Sequence, residues 1–584
     1  MQLTLGFIFI SDTPKQTYMS APMMNPGTTA PHYLPLAYSE AILRRYAAGE
    51  RDFAKMKLAD IDLSRAMLCG ANVSEADLTG ARLDHADLRD ANLQGATLLR
   101  TGLRNANLEN ADLTKAVGLL PAQLAGANLC GARLPDRFGD FDGLKVVEEE
   151  SKNARTLFFG TLLACVYGWL TIASTTDVLL LTNSSSSTLP IIGASIPIVS
   201  FYIVGPLMLF LLYIYLHLHL QRLWERLADL PAVFPDGRSL GKRAYPWLLT
   251  GLVYSFNPYL KDRRPPLSRL QTSVSLLVAW WSVPITIVLF WGRYLRRHDW
   301  IGTWLHIIIL VGAIAAGISL YQLAKTTLRG QRRNPVSLPA MLMRSATYTR
   351  ALWVVGLIIV VFIISFGVIE GVPPDFESVD PDKSLIHTNL SSTDVRKAIP
   401  RLFQTIGYKP FADLREADVS TRLPNWKGQD EDELNLVKRG RLRGANIRFA
   451  DASRAFLVGA DLARADLQGS YLYHANLRRA DLAWADLKES FAYEADFQGA
   501  NLQNADLRGG DFTGSNLSGA NLKGARLDEA NFENANLNKT NLSATSLTAV
   551  KGLTARQFET AITDAATQLP KHLATTGHAS TQAK

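Results

Sequence analysis

The side chains able to do chemistry in this chain are few and scattered. Three cysteines occur, Cys69, Cys130 and Cys165. A thiolate nucleophile needs a lowered pKa and a zinc site needs further ligands at short spacing. No paired C-x-x-C run supplies them, and a structural thiol suits each cysteine. His217 and His219 lie two apart, so on a helix they leave in different directions and make a poor metal pair. His306 stands alone, and a packed or interfacial histidine is the simpler reading of all three. No P-loop, G-x-S-x-G or H-E-x-x-H is present. The sequence therefore predicts no catalytic residue, no metal ligand and no cofactor, and a protein that is not an enzyme.

Composition has to be read by region. The 584 residues are 47% hydrophobic with a net charge of +8, and mean hydropathy is +0.04. Apolar residues are too plentiful for a wholly disordered chain, and three cysteines are too few for a disulfide scaffold. The basic excess invites a nucleic-acid reading, but it lies in one block. Residues 156–370 hold 18 basic against 7 acidic groups, whereas 51–134 hold ten of each and 441–547 hold 12 against 13.

That block is also the apolar one. Thr156–Thr176, Ile198–Leu220, Leu270–Gly292, Ile301–Ala324 and Ala351–Ile369 are each long and uncharged enough to cross a bilayer, which takes roughly 20 apolar residues. Tryptophans 280, 281, 291, 300, 304 and 353 lie in or near these spans, several near their ends, where an aromatic belt would stand. The loops alternate in Lys and Arg: four before the first span, then none, nine, three and six, and one in residues 371–390. By the positive-inside rule the N-terminal region is cytoplasmic and the C-terminal region outside, in a multi-pass protein of the bacterial inner membrane. Ala244–Leu260 is uncharged for 17 residues. Pro246, Pro258 and its basic flanks suit an interfacial helix better than a sixth span. Pro206 and Pro284 are expected to kink the second and third spans. Gly160, Ala164 and Gly168, with Ala313 and Gly317, recur at four-residue spacing, which permits close helix packing within the chain or between copies of a homo-oligomer. Small residues merely tolerated in lipid are the alternative. No charge sits mid-span, so a transport path has no support in sequence.

The flanking regions repeat with period five. Bulky centres run from Phe53 through Leu58, Leu63 and Leu68 to Leu113. After a one-residue shift they continue at Leu119, Leu124, Leu129 and Leu134. A second series runs from Leu442 to Leu547, small only at Ala452 and Ala492, and shifts by one residue to Leu553 and Phe558. The phrases GLLPAQL (118–124) and GLTARQF (552–558) match at the two shifts. A five-residue step sends side chains round every face of an α-helix and flips them on a strand. A chain that turns a corner every five residues keeps all centres inward, with four corners to a coil of 20.

ADLTG (76–80), ADLRD (86–90), ANLEN (106–110), ANLQN (500–504), ADLRG (505–509) and SNLSG (515–519) resemble the pentapeptide-repeat family, whose motif is A(D/N)LXX. The resemblance implies a right-handed quadrilateral β-helix in two copies flanking an α-helical transmembrane bundle. LPIIGASIPIV and RRHDWIGTWLH are similar to the membrane segment of multi-span bacterial members. The expected organisation is an N-terminal tail and cap helix (1–50), a first solenoid (51–135), a linker (136–155), the membrane block (156–370), a linker with a partial coil at Leu414 and Val419 (371–440), a second solenoid (441–560) and a tail (561–584). Ser39–Arg51 is predicted as a cap helix, and Thr554 as the N-cap of a closing helix ending near Pro570.

Some family members imitate DNA at a topoisomerase, a role that needs an acidic rod; these regions are near neutral, so nucleic-acid mimicry and nucleic-acid binding are both disfavoured. Tyr471, Tyr473, His474, Trp484, Phe491 and Tyr493 gather in adjacent coils. They form either a contact patch for a protein partner or, around Ala492, a refilled core. The expected role is a membrane scaffold or adaptor, with the bilayer and unidentified proteins as partners. A channel or membrane effector with sensing solenoids is the alternative.

Overall fold

Every fifth residue of the repeats turns a corner, and backbone dihedrals carry the turn. The computed structural model describes residues 34–138, 141, 143–182, 197–244, 249, 252, 258–260, 267–329, 345–371, 399–403, 405, 408–428 and 431–570. The chain divides into two units, residues 1–139 and 140–584.

In the first unit, the residue two after each centre has positive φ, from Lys55 (60°) and Asp60 (55°) to Lys115 (60°). The small residue next in line then donates back to the centre, as Ala71 N does to Leu68 O at 3.1 Å. This closes a turn whose third residue is left-handed. The residue before each centre pairs with the one 20 positions on through isolated parallel bridges, Asp52 with Asn72 and Asp77 with Thr97. No longer strand is assigned among the described residues. The centres and the alanines two before them fill the inside: Leu78, Leu98, Ala76 and Ala96 are buried. Side chains add a second ladder outside. Asn92 Nδ2 donates to Asn72 Oδ1 (3.1 Å), and Asn72 Nδ2 to Asp52 Oδ1 (2.9 Å). A carboxylate there also accepts the N–H two residues on, as Asp77 does from Thr79 (3.1 Å). The Asp-or-Asn choice thus follows from one oxygen accepting a local N–H. Helix Leu34–Ala47 precedes the first coil, beginning before the predicted Ser39 and stopping short of Gly49. Its Ile42 is buried and its Tyr46 hydroxyl donates to Cys69 O at 2.8 Å.

In the second unit, five helices are long and apolar enough to cross a membrane: Gly143–Ser174, Ile198–Ala228, Leu270–Arg297, Trp300–Leu328 and Leu352–Ile369. All run past the apolar stretches read from sequence, the last belonging to a helix that begins at Ser345, because basic and polar turns extend them. The first packs on the second and third, and the fourth on the second, third and fifth. Pro284 lacks the N–H that would bond Trp280 O. Residues Leu277–Trp281 loosen into a π turn just before it, and the Tyr213 hydroxyl takes the Trp280 carbonyl at 3.1 Å. Most of Ala244–Leu260 lies outside the described residues; Leu249, Leu252 and Leu260 within it are buried.

The second coiled region pairs from Asp413↔Asp451 to Ser546↔Gln568. The closing helix is a correction to the sequence reading. Thr554 does cap it, but it spans one turn, Ala555–Phe558, after which Ile562 and Gln568 pair with Asn541 and Ser546. The one-residue shifts now have a cause. Gln123 Nε2 donates to Leu98 O (2.8 Å) and Thr101 O (2.7 Å) while its Oε1 accepts Leu120 N (2.5 Å). Gln557 donates to Phe532 O (2.8 Å) and Ala535 O (2.9 Å) and accepts Thr554 N (2.9 Å). Each glutamine serves a carbonyl, Thr101 or Ala535, that the shifted register leaves open, and adds a second donor to Leu98 or Phe532, which already close their own turns.

Candidate functional site

The polar groups that sequence placed at span ends converge in the second unit. The end of the bundle where the first, third and fifth helices finish meets the start of the second coiled region. The short helix Asp177–Thr182 stands between them. Its Leu180 belongs to the apolar core of the bundle. The next residue, Leu181, belongs to the core of the coils, with Val178 packed against it. One turn of helix therefore joins two hydrophobic cores and covers an end that would otherwise expose backbone and leucine.

Around that turn the hydrogen bonds are dense. The Asp177 carboxylate, 4% exposed, pairs with Arg293 and with Arg296 (3.3 Å), and accepts the Asp413 backbone N–H at 2.8 Å. Arg293 also donates to Thr175 O (2.5 Å), and Arg297 to Leu180 O (2.6 Å). The Tyr408 hydroxyl donates to Gly292 O at 2.6 Å, with the Arg296 guanidinium 5.3 Å from its ring. Glu370, at the end of the fifth helix, accepts from Trp300 Nε1 (3.3 Å) and pairs with Arg448 of the coils (3.6 Å). His298 takes a left-handed corner (φ 52°), lies 3.4 Å from Pro410 O and packs edge-on against Phe411. Burial first, then Arg448, pushes its imidazole below the ordinary histidine range, against the Pro410 carbonyl, Asn446 and Glu370. Asp299 caps the fourth helix through Ile301 N (3.0 Å) and Gly302 N (3.3 Å) and accepts the Tyr294 hydroxyl (2.5 Å). The arrangement has ion pairs and clamps but no nucleophile beside a base. Among the described residues no three potential metal-binding side chains come together.

Sequence reasoning missed this junction as a site. The signal was Arg293, Arg296 and Arg297 in a loop that the positive-inside rule wants free of charge, with Asp177 the sole acid in the loop that carries no Lys or Arg.

The aromatic residues predicted in the coils divide. Tyr471 and Phe491, one coil apart, stack at 5.2 Å and 9°, with Tyr473 6.2 Å from Phe491. His474 meets Tyr493 at 5.9 Å and Glu494 at 3.3 Å. None turns inward: Ala492 is buried, while Tyr471, Tyr473 and Phe491 are half-buried and His474 and Tyr493 exposed. Trp484 is ten residues, half a coil, from both His474 and Glu494. It takes a left-handed corner (φ 61°) with its ring exposed, and so faces the other way. Among the small residues, a Cβ at Gly168 would meet the Phe290 ring at 3.1 Å, and one at Gly317 the Tyr213 hydroxyl at 2.7 Å. Ala313 is buried and Ala164 half-buried, but Gly160 is exposed with nothing within 4 Å of its Cβ position.

Comparison with known proteins bears on the coiled regions. The model of pentapeptide repeats matches residues 52–84, 81–117, 441–479, 475–514 and 515–551, in eight copies. A pentapeptide repeat protein from Nostoc Pcc 7120, alr5209, is 34% identical over 17% of this chain and 86% of its own, with a TM-score of 0.11. Rfr23 from the cyanobacterium Cyanothece 51142 is 27% identical over 22% of this chain and 90% of its own (TM-score 0.10). HetL of Nostoc sp. strain PCC 7120, involved in heterocyst differentiation regulation, is 24% identical over 27% and 81% (TM-score 0.11). The curated proteins yield no match. On its repeat motifs, the chain belongs to the pentapeptide-repeat family.

Proposed function

We propose that the chain is a non-enzymatic multi-pass membrane adaptor whose two coiled regions are right-handed quadrilateral β-helices presented to protein partners on opposite sides of a bacterial inner membrane. The observation that carries this reading is the seating of Leu180 and Leu181 in adjoining cores, with Asp177 bonded across them. A coil fixed in this way moves with the helices rather than swinging on a linker. The second coiled region sits at the bundle end served by the loop without Lys or Arg. The three arginines there are held by Asp177 and backbone carbonyls. The nine-residue and six-residue basic sets lie in the loops of the other end, which favours a cytoplasmic N-terminal region. Near-neutral coils speak against a DNA mimic. A second reading, a channel, draws on His217 and His306, buried within the bundle with Nε2 unpartnered.

The test is topology. A reporter active only outside the cytoplasm, fused after residue 584, is expected to be active; activity of a cytoplasmic reporter there instead would put both coiled regions on one side and sink the reading. Reproducible ion flux in liposomes holding the purified protein would favour the channel.

A further inference from the structure

Beside the Asp177 clamp, the same bundle end and the first coils enclose a polar cleft of about 730 Å³, with Arg297, His298 and Asp299 on one wall and Arg441, Arg443, Asn446 and Asp461 on the other. Its charges are unevenly matched. Arg443 is occupied by Asp461 (3.0 Å) and Asp481 (3.7 Å), and Asp299 by the fourth helix and Tyr294. Arg297 donates to the carbonyls of Leu180 and Leu181 and also serves the Tyr294 hydroxyl, but it makes no ion pair with a described acid. Arg441 is exposed and makes no ion pair among the described residues. Two guanidiniums with no ion-paired acid make a site for an oxyanion, which guanidinium forks hold bidentately. Trp300, which lines the cleft, opens the fourth apolar helix, where an interfacial aromatic belt would stand.

We infer that this cleft binds a phosphate group, presented either by a phospholipid headgroup or as free phosphate, with Arg297 and Arg441 as its main charge partners. The full chain, purified in detergent, is titrated with inorganic phosphate by calorimetry. Retention of dioleoyl-phosphatidylglycerol against dioleoylglycerol is followed by native mass spectrometry. Arg441→Gln, at an exposed position outside the core, is expected to weaken phosphate or phosphatidylglycerol binding by about tenfold or more, the size of one charge-assisted hydrogen bond lost. Arg464→Gln, an exposed arginine elsewhere on the same region, is expected to change neither. Binding of inorganic phosphate that responds to Arg441→Gln identifies free phosphate as a sufficient ligand. A response confined to phosphatidylglycerol identifies the headgroup. If neither responds, or if Arg464→Gln loses as much, the inference is overturned.

Discussion

Asp177 and Asp413 stand 236 residues apart in the chain, yet the carboxylate of the first accepts the backbone N–H of the second at 2.8 Å. Asp413 is also where the second coiled region makes its first bridge, to Asp451. One side chain thus ties the short helix Asp177–Thr182 to the first course of the coils while sharing its charge between two arginines.

Asp177→Ala is therefore expected to cost more than a lost hydrogen bond. It leaves Arg293 and Arg296, both largely buried, without their acid, a change worth about 3–5 kcal/mol. Asp177→Asn keeps an acceptor for Asp413 N–H and should lie between wild type and alanine in thermal stability. Hydrogen exchange at residues 408–414 is the local readout. Protection there that matches wild type in the alanine variant would remove Asp177 from the junction's support.

The two register shifts predict a paired effect. Gln123→Ala leaves the Thr101 carbonyl without its donor and Leu98 with only the Thr101 N–H; Gln557→Ala does the same to Ala535 and Phe532. Each is expected to destabilise its own coiled region by about 1–3 kcal/mol, the cost of one carbonyl left without a donor. Limited proteolysis should open residues 98–134 in the first variant and 532–568 in the second. Loss of protection in the opposite region would contradict the assignment.

The repeat was readable in sequence because period five is incompatible with either regular element, so one pattern fixed the inward residues from Phe53 to Leu547. The five apolar helices were readable for a similar reason: length and absence of charge leave few alternatives. The junction was not. Arg293, Arg296 and Arg297 entered the sequence reading only as charges to be counted, and nothing local says that they face Asp177 or the Leu180 carbonyl. Nor does spacing reveal that Leu180 and Leu181 enter different cores. Trp484 looked like a neighbour of His474 and Tyr493 because nine or ten residues are close in sequence, whereas ten is half a coil.

Small residues in the bundle separate two kinds of packing. Gly317→Ala would place a methyl 2.7 Å from the Tyr213 hydroxyl, which holds Trp280 O. It is expected to destabilise the bundle by about 1–3 kcal/mol through overpacking. Gly160→Leu meets no atom of its own chain within 4 Å of the added Cβ and should leave the melting temperature unchanged. If Gly160 packs copies together, native mass spectrometry will show the leucine variant shifted toward monomer; an unchanged distribution would exclude that contact.

Acid sensitivity should centre on His298. Its imidazole is held below the ordinary value of about 6.5 by burial and Arg448. Between its folded value and 6.5 the unfolded chain binds more protons, so stability rises with pH there. The contribution is complete above about 6.5 and fades as pH falls through the folded value. Asp413 works in a separate window. The Arg415 hydrogen bond holds its carboxyl well below the usual range, so its share is lost only below about pH 4. Thermal unfolding at pH 7.5 and 5.5 is expected to show a drop in wild type that His298→Gln reduces. An equal drop in both would place the sensitive group elsewhere.

The stacked pair Tyr471 and Phe491 occupies positions where neighbouring coils carry acceptors: Asp451 takes the Ser453 N–H at 3.2 Å and Asp511 the Thr513 N–H at 3.1 Å. Restoring the repeat's own residues, Tyr471→Asp with Phe491→Asn, removes a stack worth about 0.5–1.5 kcal/mol. It supplies local hydrogen bonds of about the same size. The double variant should therefore melt within about 1 kcal/mol of wild type. Stability so little changed, with loss of binding to a partner that wild type binds, would show that the coil keeps its aromatics for contact. A large destabilisation would show instead that they hold the coils together, and Tyr473, 6.2 Å from Phe491, would then belong to the same structural cluster.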